Sequence, residues 1–434
     1  MKLTLIFTLL LVLASCSTDS TRSIASLSGG YVKAMMSPRQ GVKAFDKMYE
    51  LIKEAKTDVN ITIYSWSDTG LTKALHETLD REDAPIVRIV MKKDVFVKQA
   101  KVVAELEAKG AMFKRAKIEL HEKFVLVDGV RLLNSSANMS GGAKHKYSEN
   151  FVFFDAEGAS KNSDIVSLLR DFKQEFAVIW NSGHDYITPD EIKVADVLNH
   201  KTKRANKYTA LKNLSLLSSS MNYQIKAPSQ RDFDKGSVIG LKRLPNKKDQ
   251  IWMVKDSLVK AIKMAKKNVF VNINHFNIRE ISDELINAIE RGIDVKLMVD
   301  SQEFKTYLNN REMTPQFVKD FQLLKGKKES IPVRVKFYSF QPHYKNWSLN
   351  HHKYMLVDYN TDNTFLLSGS YNFSKTAEHA KFDNQIVFKG KSHQHIYDAF
   401  AEEFEYLWSL ERSEDDKVSK NNWNYLMTPV KGRL

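Results

Sequence analysis

The chain has 434 residues, a formal net charge of +14 at pH 7 and a pI near 9.4, which fits an anionic partner such as nucleic acid, anionic lipid or a membrane surface and equally a basic surface that only keeps the protein in solution. Hydrophobic residues at 43% and aromatics at 11% are ample for a sizeable core, in two or three average domains or in two lobes of one unit. The single cysteine, Cys16, excludes an intramolecular disulfide, and beyond the first residues no stretch is long and apolar enough to cross a membrane.

Met1-Lys2 is a short positive start, and residues 3–13 form an apolar run interrupted only by Thr4 and Thr8. Eleven residues are too few to span a bilayer comfortably and suit a secretory signal. The following Leu13-Ala14-Ser15-Cys16 resembles a bacterial lipobox, which implies cleavage before Cys16 and lipid modification of that residue. A signal cut elsewhere, leaving a free thiol, is the alternative. The expectation is an exported lipoprotein, anchored to a membrane through Cys16 and facing the periplasm or the cell exterior. Residues 16–30 are small and polar, as in a flexible tether.

From Gln40, the positions Val42, Phe45, Met48, Leu51, Ile52 and Ala55 recur at helical spacing. A strand is expected at 59–64, a helix at 71–79 and a strand at 86–91. The same order returns later, with helix at 257–265, strand at 269–273, helix at 281–290 and strand at 295–299. Interleaved helices and apolar strands indicate an α/β fold. Segment 58–61 aligns with 268–271 at an offset of 210, so the chain is expected to hold an internal duplication. Helices at 163–180 and 394–408 close the two copies. The predicted organisation is a signal peptide at 1–15, the tether at 16–30, a first lobe at 31–185, a linker at 186–250, a second lobe at 251–412 and a polar tail at 413–434. Residues 303–330 are expected to be a charged helical insertion in the second lobe.

Two stretches stand out. His121-Glu122-Lys123-Phe124-Val125-Leu126-Val127-Asp128 is followed by Ser135-Ser136-Ala137-Asn138. His351-His352-Lys353-Tyr354-Met355-Leu356-Val357-Asp358 is followed by Gly369-Ser370-Tyr371-Asn372. The histidines are 230 residues apart; the asparagines lie 17 and 21 residues after them, and a longer hairpin tip accounts for the difference. The apolar, partly β-branched runs favour buried strands, and alternation places His121 with Lys123, and His351 with Lys353, on one face. An imidazole beside an ammonium is costly to bury without an anion between them. Two such pairs across a cleft make a pocket for one phosphate.

The doubled H-x-K-x4-D pattern with its downstream serine and asparagine resembles the phospholipase D superfamily over most of residues 31–410. That resemblance implies two similar α/β lobes packed face to face with the active site between them. It also implies phosphodiester hydrolysis through a phosphohistidine, without metal or cofactor, in a chain expected to be a monomer. His121 and His351 would then be nucleophile and acid/base, with the superfamily usually placing the nucleophile in the first motif. Lys123 and Lys353 would neutralise the phosphoryl oxygens, with Asn138 and Asn372, and Ser136 and Ser370, as further contacts. By the same resemblance Glu149 and Asp383, ahead of matching strands, would orient the imidazoles across the lobe interface. Asp128 and Asp358 read as structural, ending the strand and anchoring its turn, with a direct catalytic role as the alternative. His352 reads as a partly buried strand histidine facing away.

In one place the pattern departs: Ser135 stands where the family usually has glycine, which is tolerable unless the backbone there needs positive φ. Tyr64, Trp66, His275, Phe276 and Trp347 are aromatics expected near the cleft, some of them ordinary packing. A phospholipid substrate is favoured by the anchor. Nuclease activity, favoured by the basic charge, and phosphatidyl transfer of the cardiolipin-synthase kind remain open.

Overall fold

The computed structural model describes residues 30–185, 212–243, 252–304, 313–336 and 348–409. Cys16, most of the tether, parts of the expected linker, Trp347 and the tail 413–434 lie outside the described residues. No helix among those described is long and apolar enough to cross a membrane.

The first lobe contributes β1 (Tyr31–Ser37), β2 (Asp58–Ile63), β3 (Ile86–Met91), β4 (Met112–Arg115), β5 (Glu119–Leu120), β6 (Phe124–Val127), β7 (Arg131–Ser135) and β8 (Glu149–Asp155). Seven of these form a mixed sheet in the order β1-β8-β7-β6-β2-β3-β4. The second half supplies β9 (Leu214–Ser218), β10 (Tyr223–Lys226), β11 (Gly240–Arg243), β12 (Asn268–Ile273), β13 (Asp294–Asp300), β14 (Val333–Lys336), β15 (Lys353–Val357), β16 (Phe365–Gly369), β17 (Lys381–Phe382) and β18 (Asn384–Lys389). Its seven-stranded sheet runs β9-β18-β16-β15-β12-β13-β14, the first sheet repeated strand for strand. Two similar α/β lobes are therefore present.

Both sheets are covered on both faces, which is why their strands read as continuous apolar runs rather than alternating ones. In β6, Val125 and Val127 enter the first lobe's outer core, while Phe124 and Leu126 enter a central core shared by the lobes. In β15, Met355 and Val357 face the second outer core and Tyr354 and Leu356 the central one. Helices Asp164–Ser182 and Gln394–Ser409 run through that central core, with Phe124 edge-on to Phe172 at 5.2 Å and Phe270 stacked on Phe404 at 5.0 Å. Truncating one such side chain, Leu126→Ala for example, costs about 2–5 kcal/mol. The helix Gly41–Lys53 buries Phe45, Met48, Leu51 and Ile52 as its spacing requires, but Val42 falls on the exposed side.

Two expectations are corrected. The stretch taken as linker contains β9, which pairs antiparallel with β18 as β1 does with β8. Its serines disguise it, yet Leu214 and Leu216 enter the central core and Leu217 the outer one. The region 303–330 carries only part of the extra length, and residues 305–312 of it lie outside the described residues. Its helix Thr314–Lys325 is the counterpart of Ala100–Glu107. The offset between lobes grows from 208 at Met91 and Val299 to 220 at Arg115 and Val335, and reaches 230 at the histidines. The extra length is thus spread on both sides of β14.

The lobes are joined by backbone as well as by core. β5 pairs in parallel with β17, Glu119 with Lys381 and Leu120 with Phe382. The amides of His121 and Glu122 donate to the Phe382 carbonyl at 2.9 and 3.0 Å, and His351 donates to Ser148 at 2.9 Å. Each motif histidine is therefore pinned by the opposite lobe just before its own strand begins.

Candidate active site

The extended backbone ahead of β6 and β15 delivers His121 and His351 to the lobe interface, both nearly buried. His121 Nδ1 lies 2.7 Å from Asp383 Oδ1, and His351 Nδ1 lies 2.8 and 2.9 Å from the two oxygens of Glu149. Each carboxylate comes from the other lobe, so the pairing crosses the interface twice. A carboxylate on Nδ1 leaves Nε2 as the nitrogen free to do chemistry.

Lys123 and Lys353 are fully buried, and each donates from Nζ to the carbonyl of its own motif histidine, Lys353 at 2.7 Å. Both lysines bear electrostatically on both imidazoles, so the four groups share one small volume. Burial, followed by the charges of Lys123 and Lys353, holds His121 well below its ordinary range. Burial and Lys353 outweigh the pull of Glu149 and bring His351 down to about 4. Burial also lowers Lys353 to about 8 and Lys123 in the same direction. Two neutral imidazoles beside two destabilised ammoniums form a site that gains by admitting an anion.

The two carboxylates differ. Burial raises Glu149, but His351, Lys353 and Ser136 outweigh it and its carboxyl sits below the ordinary value. Asp383 is pushed up to about 7, because burial there exceeds the help from Lys123 and Ser370.

Ser136 and Ser370, expected to contact phosphate, are engaged elsewhere. Ser136 Oγ donates to Glu149 at 2.7 Å and accepts from the Asn150 amide; Ser370 Oγ donates to Asp383 at 2.8 Å and accepts from the Asn384 amide. They brace the carboxylates because those buried oxygens need a second donor. Asn138 and Asn372 follow in the same loops, and the side-chain Oδ1 of each is buried without a hydrogen-bond partner among the described residues.

Asp128 and Asp358 stand at the turns that end β6 and β15, both with positive φ. Asp128 accepts from the amides of Lys56, Thr57 and Asp58 and from Arg131, and Asp358 from the amides of Lys266 and Lys267. They tie hairpin to helix end, away from the imidazoles. His352 is buried behind the site between Asn150 at 3.3 Å and Glu403 at 3.2 Å. Positive φ is needed at neither Ser135 nor Gly369; glycine stands at 369 because a Cβ there would meet the Asn384 carbonyl oxygen at 2.4 Å.

Of the expected aromatics, Tyr64 reaches the site, its ring edge-on to His121 at 4.7 Å and 4.8 Å from Lys123 Nζ. Trp66 and Phe276 are buried beneath the motif loops, bridging to Met139 and Phe373. Sequence reasoning missed Lys381, whose charge bears on His121, Lys123, Lys353 and Asp383. Its one signal was its position two residues before Asp383, on the same side of an extended chain.

A family model described as cardiolipin synthase, PLD-like domain, matches residues 48–180 and 258–408, one stretch in each lobe. The chain belongs to the phospholipase D superfamily. This superfamily member is 25% identical over 143 residues, 32% of its length, to the mitochondrial cardiolipin hydrolase of Danio rerio, and the match spans 58% of that relative. Its fold resembles that of the phosphatidylserine synthase from Haemophilus influenzae Rd KW20, with a TM-score of 0.54 at 14% identity over 87% of this chain and 86% of that one. A polyphosphate kinase from Porphyromonas gingivalis superposes with a TM-score of 0.50 at 10% identity, covering 87% of this phospholipase D superfamily chain and 50% of its own.

Proposed function

We propose that this enzyme is a phosphodiesterase that cleaves phospholipid through a covalent phosphohistidine, with His121 as nucleophile and His351 as acid and then base. The observation that carries this reading is the pair of crossed contacts, His121 with Asp383 and His351 with Glu149, set around two buried lysines. The neutral Nε2 of His121 attacks phosphorus, and the bond to the leaving alcohol breaks as its oxygen takes a proton from His351. His351, now neutral, removes a proton from water. The water oxygen bonds to phosphorus, the P–N bond breaks, and its electron pair returns to His121.

The difference between the carboxylates supports these roles. On their own, burial and the lysine charges keep His351 neutral. A phosphate bound against Lys123 and Lys353 offsets those charges, and Glu149, held ionised, then supports the protonated His351 that a general acid needs. Asp383, pushed up to about 7, gives weaker support to a charged His121 and suits a neutral nucleophile. In this reading Lys123 and Lys353 neutralise the phosphoryl oxygens, Asn138 and Asn372 donate to them, and no metal takes part. Glu149, Asp383, Ser136 and Ser370 act as positioning residues. Export and attachment through lipidated Cys16, with the protein acting as a monomer, complete the proposal and place the site near phospholipid.

Phosphatidyl transfer is the second reading, favoured by the description of the matching family; an alcohol then replaces water in the second step. The test is to incubate the purified enzyme with phosphatidylcholine, cardiolipin or plasmid DNA, with EDTA and with or without glycerol. Release of phosphatidic acid, lost in His121→Ala, supports hydrolysis of lipid. Glycerol-dependent phosphatidylglycerol instead identifies the transferase, and nicking of plasmid alone overturns the lipid reading in favour of a nuclease.

A further inference from the structure

The two lobes are alike in their motifs but not at the rim of the cleft. Four rim positions beside His121 have counterparts of different chemistry in the second lobe. Tyr64 corresponds to Asn274, whose amide is bound to the Asn350 carbonyl at 2.9 Å. Lys92 corresponds to Asp300, which is buried and accepts from the Asn350 amide. Glu119 corresponds to Leu349, and Lys381 to Tyr147, by their spacing from the motif residues. Of these four pairs both lysines stand on the His121 side, whereas the second lobe contributes the buried carboxyl of Asp300.

These residues form one connected group. Lys92 Nζ lies 3.6 Å from Glu119, and Lys381 Nζ lies 3.4 Å from the same carboxylate oxygen. Lys92 Nζ also lies 4.7 Å from the centre of the Tyr64 ring, whose edge meets His121. Both lysine side chains are 22% exposed and Glu119 is 40% exposed, so the carboxylate can swing into water while the ammoniums stay. Lys92 Nζ also lies 3.4 Å from Asp94, whose side chain is 53% exposed, and Glu119 is the carboxylate that bridges both lysines, a small anion in the position of a larger one. A phosphate offers both ammoniums more charge and more acceptor oxygens than Glu119 does. The β5–β17 pairing holds Glu119 and Lys381 in register across the lobes, so the group is built into the interface rather than hung on a loop.

We infer that Lys92, Lys381 and Tyr64 form a second anion subsite beside the reacting phosphate, which takes a further phosphate of the same substrate and from which Glu119 is displaced on binding. This inference rests on the proposed phospholipid reading and narrows it to lipids bearing two phosphates joined by a short linker.

The test compares wild type with Lys381→Gln, Lys92→Gln and Glu119→Gln, using cardiolipin and phosphatidylcholine in mixed micelles. The preference for cardiolipin, as a ratio of kcat/KM values, should fall roughly three- to tenfold in each lysine variant, mainly through KM, the size of a partly exposed charge-assisted contact. It should rise in Glu119→Gln, where the competing carboxylate is gone. The second readout needs no catalysis: glycerol 1,3-bisphosphate should raise the Tm of the wild type more than inorganic phosphate does, and Lys381→Gln should remove the difference. An unchanged cardiolipin preference in the lysine variants, or equal responses to the two phosphates in the wild type, overturns the subsite. If no lipid is cleaved but the bisphosphate is preferred, the lipid reading fails and the subsite stands.

Discussion

Glu149, from the first lobe, grips His351, from the second, through both carboxylate oxygens at 2.8 and 2.9 Å, whereas Asp383 meets His121 through one oxygen at 2.7 Å. The two dyads are thus related in topology and unequal in electrostatics, since Glu149 is held ionised and Asp383 is pushed up to about 7.

Glu149→Gln should lower kcat by roughly 10²–10⁴ with little change in KM, the range seen when a positioned proton carrier loses its ionised partner. Asp383→Asn should cost less, because that carboxyl is already partly protonated near neutral pH. Steady-state kinetics of both variants decide it. A larger loss in Asp383→Asn would exchange the roles assigned to the histidines.

Quenching a single turnover of phosphorus-labelled substrate in base should trap a phosphoramidate on the peptide containing His121. The label should be absent in His121→Ala. Finding it on the His351 peptide reverses nucleophile and acid.

The buried lysines should make the unliganded enzyme less stable than it could be. Lys353 titrates near 8 in the folded protein against an ordinary 10.5, so the unfolded chain holds its proton more tightly. Stability should therefore rise as pH goes from about 8 to 10. Lys353→Met should stabilise the protein at pH 7 by up to about 3 kcal/mol, flatten that rise and abolish activity. His351 acts in the lower window. Its folded value of about 4 lies below the ordinary 6.5, so stability should be lost as pH falls from 6.5 toward 4. Asp383, raised to about 7, opposes this over the same range, which makes the alkaline limb the cleaner measurement. Thermal unfolding across pH reads both.

Inorganic phosphate should raise Tm at pH 7, by about 2.7 kcal/mol of stability at a hundred times its Kd. The gain should be much smaller in Lys353→Met, where there is less buried charge to compensate. An equal gain in that variant would place the anion elsewhere.

Asp128→Ala should lower stability by about 2–4 kcal/mol, since five donors lose their acceptor. Its folded fraction should keep near-normal turnover. Specific activity corrected for the folded fraction separates this from a catalytic role, which would abolish turnover in fully folded protein.

What the linear chain determined was the duplication and its chemistry: two H-x-K-x4-D stretches, each with an apolar strand, an asparagine and a matching carboxylate. Local patterns carry such information because strand alternation and helix spacing act over a few residues. They could not show that Leu214–Ser218 is an edge strand, because its serines imitate a linker and its partner β18 lies far along the chain. Nor could they separate Ser136 and Ser370, spent on carboxylates, from Asn138 and Asn372. Those assignments, the choice of imidazole that each carboxylate takes, and the approach of Lys381 to His121 were decided by tertiary structure. Each depends on which residues the packing of two sheets around a shared core brings within hydrogen-bond reach, and no spacing along the sequence encodes that distance.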